Sequence, residues 1–268
     1  MQMEHFLTKA IEAARAAGEL IRANLGRYAT LETKASATDL VTNVDRECER
    51  RIAEVLLTAF PDHFLLGEEG TADQARRVER DADLTQVEYL WVCDPIDGTI
   101  NFIHGIPGST VSICLAVRGE PVLGVVYDPA RDELFHAVKG HGAFVNGQPM
   151  RVRSETVLKE SLVATGFSSR PSMREKNVHD LLTMTPLVRN VRNLGSAALH
   201  LAYVAAGRLT AYWENGLSPW DLAGGVVLVM EAGGMVTAIN GAPYTLATAN
   251  IMATNGGIHA ELRAQVAQ

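Results

Sequence analysis

The sequence predicts one mixed domain of helices and strands, an α+β fold whose sheets are mixed and largely antiparallel. Three observations carry that expectation. Residues 4–25 and 43–60 repeat apolar side chains at helical spacing, and residues 110–145 hold short apolar runs broken by turn formers. After residue 160, helix-like and strand-like stretches alternate.

In chain order, Phe6, Leu7, Ala10, Ile11, Ala14, Ala17, Ile21 and Leu25 recur every three or four residues and predict an amphipathic helix. Polar residues from Glu32 to Thr38 predict an exposed loop, and Asp39-Leu40-Val41-Thr42 leads into a second helix from about Asn43 to Phe60, stopped by Pro61-Asp62. Residues 63–67 and 88–93 read as strands, with a charged surface helix or loop from Thr71 to Leu84 between them. Strands at about 110–117, 122–127, 133–138 and 143–145 are separated by Arg118-Gly119-Glu120-Pro121, Asp128-Pro129 and Lys139-Gly140, and Asn146-Gly147 follows the last. That spacing predicts an antiparallel meander. Beyond it come a strand at 161–165, helices at 174–185 and 196–206, and a strand at 209–213. A helix at 220–231, strands at 234–238 and 251–254 and a terminal helix at 258–266 complete the series. No repeat or linker divides the 268 residues, so one unit is expected, with halves at about 1–150 and 151–268 and a site between them.

Composition narrows the function. With 47% hydrophobic and 21% charged residues the chain can bury a sizeable core. The net charge of −7, without a dense run of Lys and Arg, argues against a nucleic-acid partner. Cys48, Cys93 and Cys114 are odd in number and lack ligand spacing, so neither a disulfide framework nor a zinc site is expected. The start of the chain does not read as a signal peptide. The apolar stretch from Val226 to Ile239, interrupted by Glu231, is too short to span a bilayer. A cytoplasmic protein away from membranes is expected. His63, His136, His141, His179, His200 and His259 form no ligand spacing and read as ordinary surface or core residues.

Three acidic segments carry the chemistry. In Cys93-Asp94-Pro95-Ile96-Asp97-Gly98-Thr99 a strand is expected to end at Cys93, and the turn after it lets Asp94, Asp97 and the Ile96 carbonyl face one point. Such hard oxygen ligands suit magnesium. A helix expected from Thr99 would offer free amides, with Gly98, to an anion. Any single Asp-Gly is a turn before it is a ligand; six specified positions after an apolar strand say more. Glu68-Glu69 follows a strand end, where a carboxylate can share a cation with Asp94 or simply be solvated. Asp221 stands at a helix start, where it can cap amides or supply a late-chain ligand.

Together these segments resemble the inositol monophosphatase family of magnesium-dependent, lithium-sensitive phosphatases. The resemblance spans most of the chain: Asp39 to Thr42 with Asp45, Gly67-Glu68-Glu69, Asp94 to Phe102, Gly195 to Ala198, and Glu214 to Asp221. It implies a layered αβαβα sandwich, commonly a homodimer, with two or three Mg2+ per site. It implies further that Glu68, Asp94 and the Ile96 carbonyl bind one magnesium and that Asp94, Asp97 and Asp221 bind a second. Thr99 with Asp45 would orient or deprotonate the attacking water, with Glu68 beside them in the catalytic set. Gly98 and Thr99 amides, with Asp97 and Lys34 nearby, would surround the phosphate, and Gly195, Ser196, Ala197 and Glu214 the polyol hydroxyls. The implied reaction is hydrolysis of a small phosphorylated polyol or sugar, inositol-1-phosphate first. Fructose-1,6-bisphosphate, histidinol phosphate, 3′-phosphoadenosine 5′-phosphate, or a non-catalytic regulatory role are the alternatives. Ile100 departs from the family pattern, where a second threonine is common, which bears on substrate preference.

Overall fold

The computed structural model describes residues 2–33, 40–72, 76–79 and 82–266. Its helices are α1 Gln2–Asn24, α2 Asn43–Ala59, α3 Thr99–Ile103, α4 Pro171–Met184, α5 Ala197–Ala205, α6 Pro219–Glu231 and α7 His259–Val266. The strands of the N-terminal half are β1 Leu31–Thr33, β2 Leu40–Thr42, β3 Phe64–Gly67, β4 Tyr89–Asp97, β5 Thr110–Val117, β6 Glu120–Asp128, β7 Glu133–Val138, β8 Ala143–Val145 and β9 Gln148–Met150. Those of the C-terminal half are β10 Leu162–Thr165, β11 Asn190–Arg192, β12 Ala211–Asn215, β13 Met235–Ala238 and β14 Asn250–Thr254. No described helix is long and apolar enough to cross a membrane.

Strands β3 to β9 form one sheet in chain order, antiparallel except for the β3–β4 pair, so the predicted meander is present. A second sheet runs β11-β10-β12-β14-β13, parallel on its β10 side and antiparallel on its β14 side. Side-chain alternation sets the layers. Along β4, Trp91 and Cys93 join the core under α1 and α2, while Leu90 and Val92 join a second core with α5 and α6. Along β12, Tyr212 belongs to that second core, whereas Ala211 and Trp213 face a third with Met184 of α4 and Leu262 of α7. The order is therefore α1–α2, seven strands, α5–α6, five strands, α4–α7. It is the layered αβαβα arrangement. Glycines make the central layer thin: a Cβ on Gly124 of β6 would lie 2.2 Å from the Gly224 carbonyl of α6.

Several elements differ from expectation. Strand β4 does not end at Cys93 but continues through Asp97. Glu32 and Thr33 lie in β1, which pairs with β2 rather than forming open loop; Lys34 to Asp39 fall outside the described residues. Between Thr71 and Leu84 the described residues form no helix before the short turn at Leu84–Gln86. Instead Arg76 and Val78 exchange backbone hydrogen bonds with Leu65, which satisfies groups that the edge strand β3 would leave bare. Strands β9 and β11, three residues each, are too short for periodicity to announce.

Candidate active site

The sheet alternation brings the acids to one side. Asp94 follows Cys93 in β4 and so faces the α5–α6 layer. Asp97, three residues on, would face the opposite way in a regular strand. Pairing with β5 skips a residue between them: Asp94 stands opposite Ser112 and Asp97 opposite Thr110. That bulge puts both carboxylates on the same face, in a stretch where Pro95 has no amide to donate. The same alternation turns Glu68 after β3, and Glu214 of β12, toward the α5–α6 layer, and Asp221 lies in the first turn of α6. Five carboxylates thus face the layer of the central helices.

Each is fixed by the local fold. Asp94 Oδ1 accepts the Ile96 amide at 3.0 Å. Asp97 Oδ2 accepts the Ser196 hydroxyl at 2.7 Å and the Ala198 amide at 2.6 Å, tying β4 to the start of α5. Since the Ser196 proton goes to Asp97, Thr110 is the donor in its 3.0 Å contact with Ser196 Oγ. Asp221 Oδ2 accepts the Ser218 amide at 2.7 Å, closing a capping box. The bonds to Asp97 from Ser196 and Ala198, and to Asp221 from Ser218, all go to Oδ2.

The electrostatics register the crowding. Burial pushes Asp97 up to about 6, against three hydrogen bonds that pull it down and with repulsion from Glu68 added. Asp221 is pushed well above the usual carboxylate range, by desolvation first and then by Glu68, Asp97 and Glu214. Glu214 rises to about 7, chiefly through burial. Among the described residues, no three His, Cys, Asp or Glu side chains are gathered as tightly as a metal's ligand shell. The donor set fits a hard divalent cation: it is all oxygen, and burial pushes the thiol of nearby Cys93 well above its ordinary range, away from thiolate.

Thr99 opens α3 behind Gly98, whose φ of 96° is left-handed and whose Cβ, if present, would lie 2.9 Å from the Gly195 carbonyl. The Thr99 hydroxyl shares its proton between Asp45 Oδ1 at 3.2 Å and the Ile96 carbonyl at 3.1 Å. Asp45, buried in the first turn of α2, accepts the Thr42 amide at 2.8 Å and the Thr42 hydroxyl at 2.5 Å through Oδ2. Gly195, Ser196 and Ala197 lie against the Gly98 loop, with Asn101 Nδ2 donating to the Leu194 carbonyl at 2.7 Å. Lys34 lies outside the described residues.

Sequence reasoning passed over Glu49. It is fully buried on α2, one turn after Asp45, and accepts the Glu69 amide at 2.7 Å and the Thr71 amide and hydroxyl at 2.5 and 2.8 Å. It braces the loop that carries Glu68. An acid inside the stripe Cys48, Ile52, Leu56 was the available signal.

Residues 2–268 match the profile of the inositol monophosphatase family. The chain belongs to that family. With it comes the class of phosphoric monoester hydrolases, and metal dependence. An inositol-1-monophosphatase of Synechocystis sp. is 42% identical over 263 residues, covering 97% of this chain and 88% of its own length. The Nus factor SuhB of Pseudomonas aeruginosa is also 42% identical, over 94% of this chain and 92% of its own length. Among solved structures, an IMPase of Thermotoga maritima superposes with a TM-score of 0.88 at 36% identity, covering 100% of this chain and 97% of that one.

Proposed function

We propose that this member of the family hydrolyses the phosphate monoester of a small polyol, inositol-1-phosphate first, with magnesium as its cation and the site between the two halves of the chain. The observation that carries the reading is that Glu68, Asp97, Asp221 and Glu214 lie near enough to repel one another, with Asp94 on the same face of β4 and the Thr99 hydroxyl bonded to Asp45 and the Ile96 carbonyl.

Glu68, Asp94 and the Ile96 carbonyl would hold one cation, and Asp94, Asp97 and Asp221 a second. When bound, divalent cations supply positive charge against the phosphoryl oxygens and ease deprotonation of a neighbouring water. The chain's own residues do the positioning. Asp45 Oδ1 draws the Thr99 proton toward itself, which aims an Oγ1 lone pair outward to take the hydrogen of an incoming water. The Gly98 and Thr99 amides face the phosphate, and Lys34 is assigned beside it from the family pattern. Glu214 and the Gly195-Ser196-Ala197 turn bind hydroxyls of the leaving group. A carboxylate at Glu214 repels a second phosphate, so a polyol monoester is preferred to a bisphosphate. Direct attack by water, without a phosphoenzyme, and a homodimeric assembly belong to the same reading.

Phosphate release from inositol-1-phosphate, fructose-1,6-bisphosphate and 3′-phosphoadenosine 5′-phosphate, each with and without magnesium, tests it. The expected result is magnesium-dependent release, highest from the inositol ester. Release equally fast in chelator, or none from any ester, would overturn the proposal.

A further inference from the structure

Glu214 is itself held by a residue that none of the roles above uses. Tyr212, two places earlier on β12, points to the same side of the sheet, and its hydroxyl donates to Glu214 Oε2 at 2.7 Å from a fully buried position. Gly166 also lies against this carboxylate, where a Cβ would stand 2.0 Å from Oε2 and 2.6 Å from Cδ. The carboxylate takes its hydrogen bond from a phenol and needs bare backbone beside it. The Tyr212 ring in turn sits 4.8 Å from the His200 imidazole, tilted by 35°. His200, buried in α5, accepts the Leu194 amide on Nε2 at 2.8 Å, at the head of the turn that carries Gly195, Ser196 and Ala197. An imidazole that accepts on Nε2 is neutral and carries its proton on Nδ1.

We propose that His200 and Tyr212 form a buried positioning pair for the hydroxyl-recognising end of the site, one residue orienting the Gly195-Ser196-Ala197 turn and the other the Glu214 carboxylate. The two sides of that subsite come from different elements, a turn before α5 and a strand of the five-stranded sheet. Contact between the two rings fixes their separation. Selection of polyol esters over esters with bare leaving groups then depends on two side chains that do not touch the substrate. The inference rests on the reading of Glu214 as a hydroxyl-binding residue.

The test is steady-state kinetics on the full-length protein in saturating magnesium, with inositol-1-phosphate and with phenyl phosphate, whose leaving group has no ring hydroxyls. Tyr212→Phe removes one oxygen and keeps the ring. It should raise KM for the inositol ester on the order of tenfold, the scale of one hydrogen bond to a charged group, while kcat and both constants for phenyl phosphate stay within about twofold. His200→Leu should do the same, and His200→Gln, which restores an acceptor for Leu194, should recover most of the loss. Combined with Glu214→Gln, Tyr212→Phe should add almost nothing. Equal losses on both esters, or no loss on the inositol ester while Glu214→Gln raises its KM, would sink the positioning pair and leave the role of Glu214 standing. A Glu214→Gln variant with unchanged KM for the inositol ester would overturn the role of Glu214, and the pair with it.

Discussion

Exchanging Glu49 for glutamine perturbs the site without touching any proposed ligand. Glu49 receives three hydrogen bonds from the segment just after Glu68: one from the Glu69 amide and two from Thr71. Glutamine has nearly the same shape but turns one oxygen into a donor, so one backbone amide loses its acceptor and faces an N–H. Losing one hydrogen bond to a charged group costs about 1.5–3 kcal/mol, and the partial exposure of the loop lets water recover some of it. In a protein of this size about 2 kcal/mol lowers the melting temperature by roughly 4–8 °C. The loop is the support of a proposed ligand, and removing such support typically weakens metal affinity by about 10–100-fold. A magnesium titration of phosphate release should therefore show half-saturation moved up by that factor, with most of the turnover restored at high magnesium. A lowered melting temperature with an unchanged magnesium midpoint would refute the reasoning, because Glu49 would then be a brace for the fold alone.

Other consequences are as specific. Asp94→Asn should cut turnover by orders of magnitude even in saturating magnesium, while circular dichroism and melting show the fold intact; near-normal turnover would remove Asp94 from the site. Thr99→Ala should slow turnover but leave calorimetric magnesium binding in place, since its hydroxyl serves the water rather than the cation. The buried acids make a pH prediction. Asp97, raised to about 6, and Glu214, raised to about 7, favour the protonated form in the fold. Their stability is present below the unfolded carboxylate range and is lost as pH rises through 6 to 7. Magnesium needs the ionised carboxylates, so the rise in melting temperature on adding it should be larger at pH 8 than at pH 5. A rise that does not vary with pH would contradict this.

Much of this was readable from residue types and spacing. The meander followed from its turn pairs, and the two N-terminal helices from apolar stripes. Glu68 and the pair Asp94 and Asp97 stand out as acids after apolar strands and Asp221 as an acid at a helix start, whereas Glu214 comes only with the family resemblance. What sequence reading got differently was the route by which Asp94 and Asp97 reach one side. Pro95 and Gly98 suggest a turn after a strand ending at Cys93, whereas the chain keeps its ladder and inserts a bulge between Asp94 and Asp97. Glu49 and Tyr212 escaped notice for a shared reason. Each sits where a regular helix or strand pattern places a core residue, and its significance is a hydrogen bond to a partner that the pattern does not name. His200 read as an ordinary histidine because its partner, the Leu194 amide, is a backbone group present at almost every position.

The most direct measurement is a calorimetric titration of magnesium into the purified protein, run beside the same titration of Asp221→Asn, with phosphate release from inositol-1-phosphate followed in parallel. The expected result is saturable binding by the parent, release that tracks occupancy, and loss of one binding event together with nearly all turnover in Asp221→Asn. Full release by a protein that binds no magnesium, or an Asp221→Asn variant indistinguishable from the parent, would contradict it.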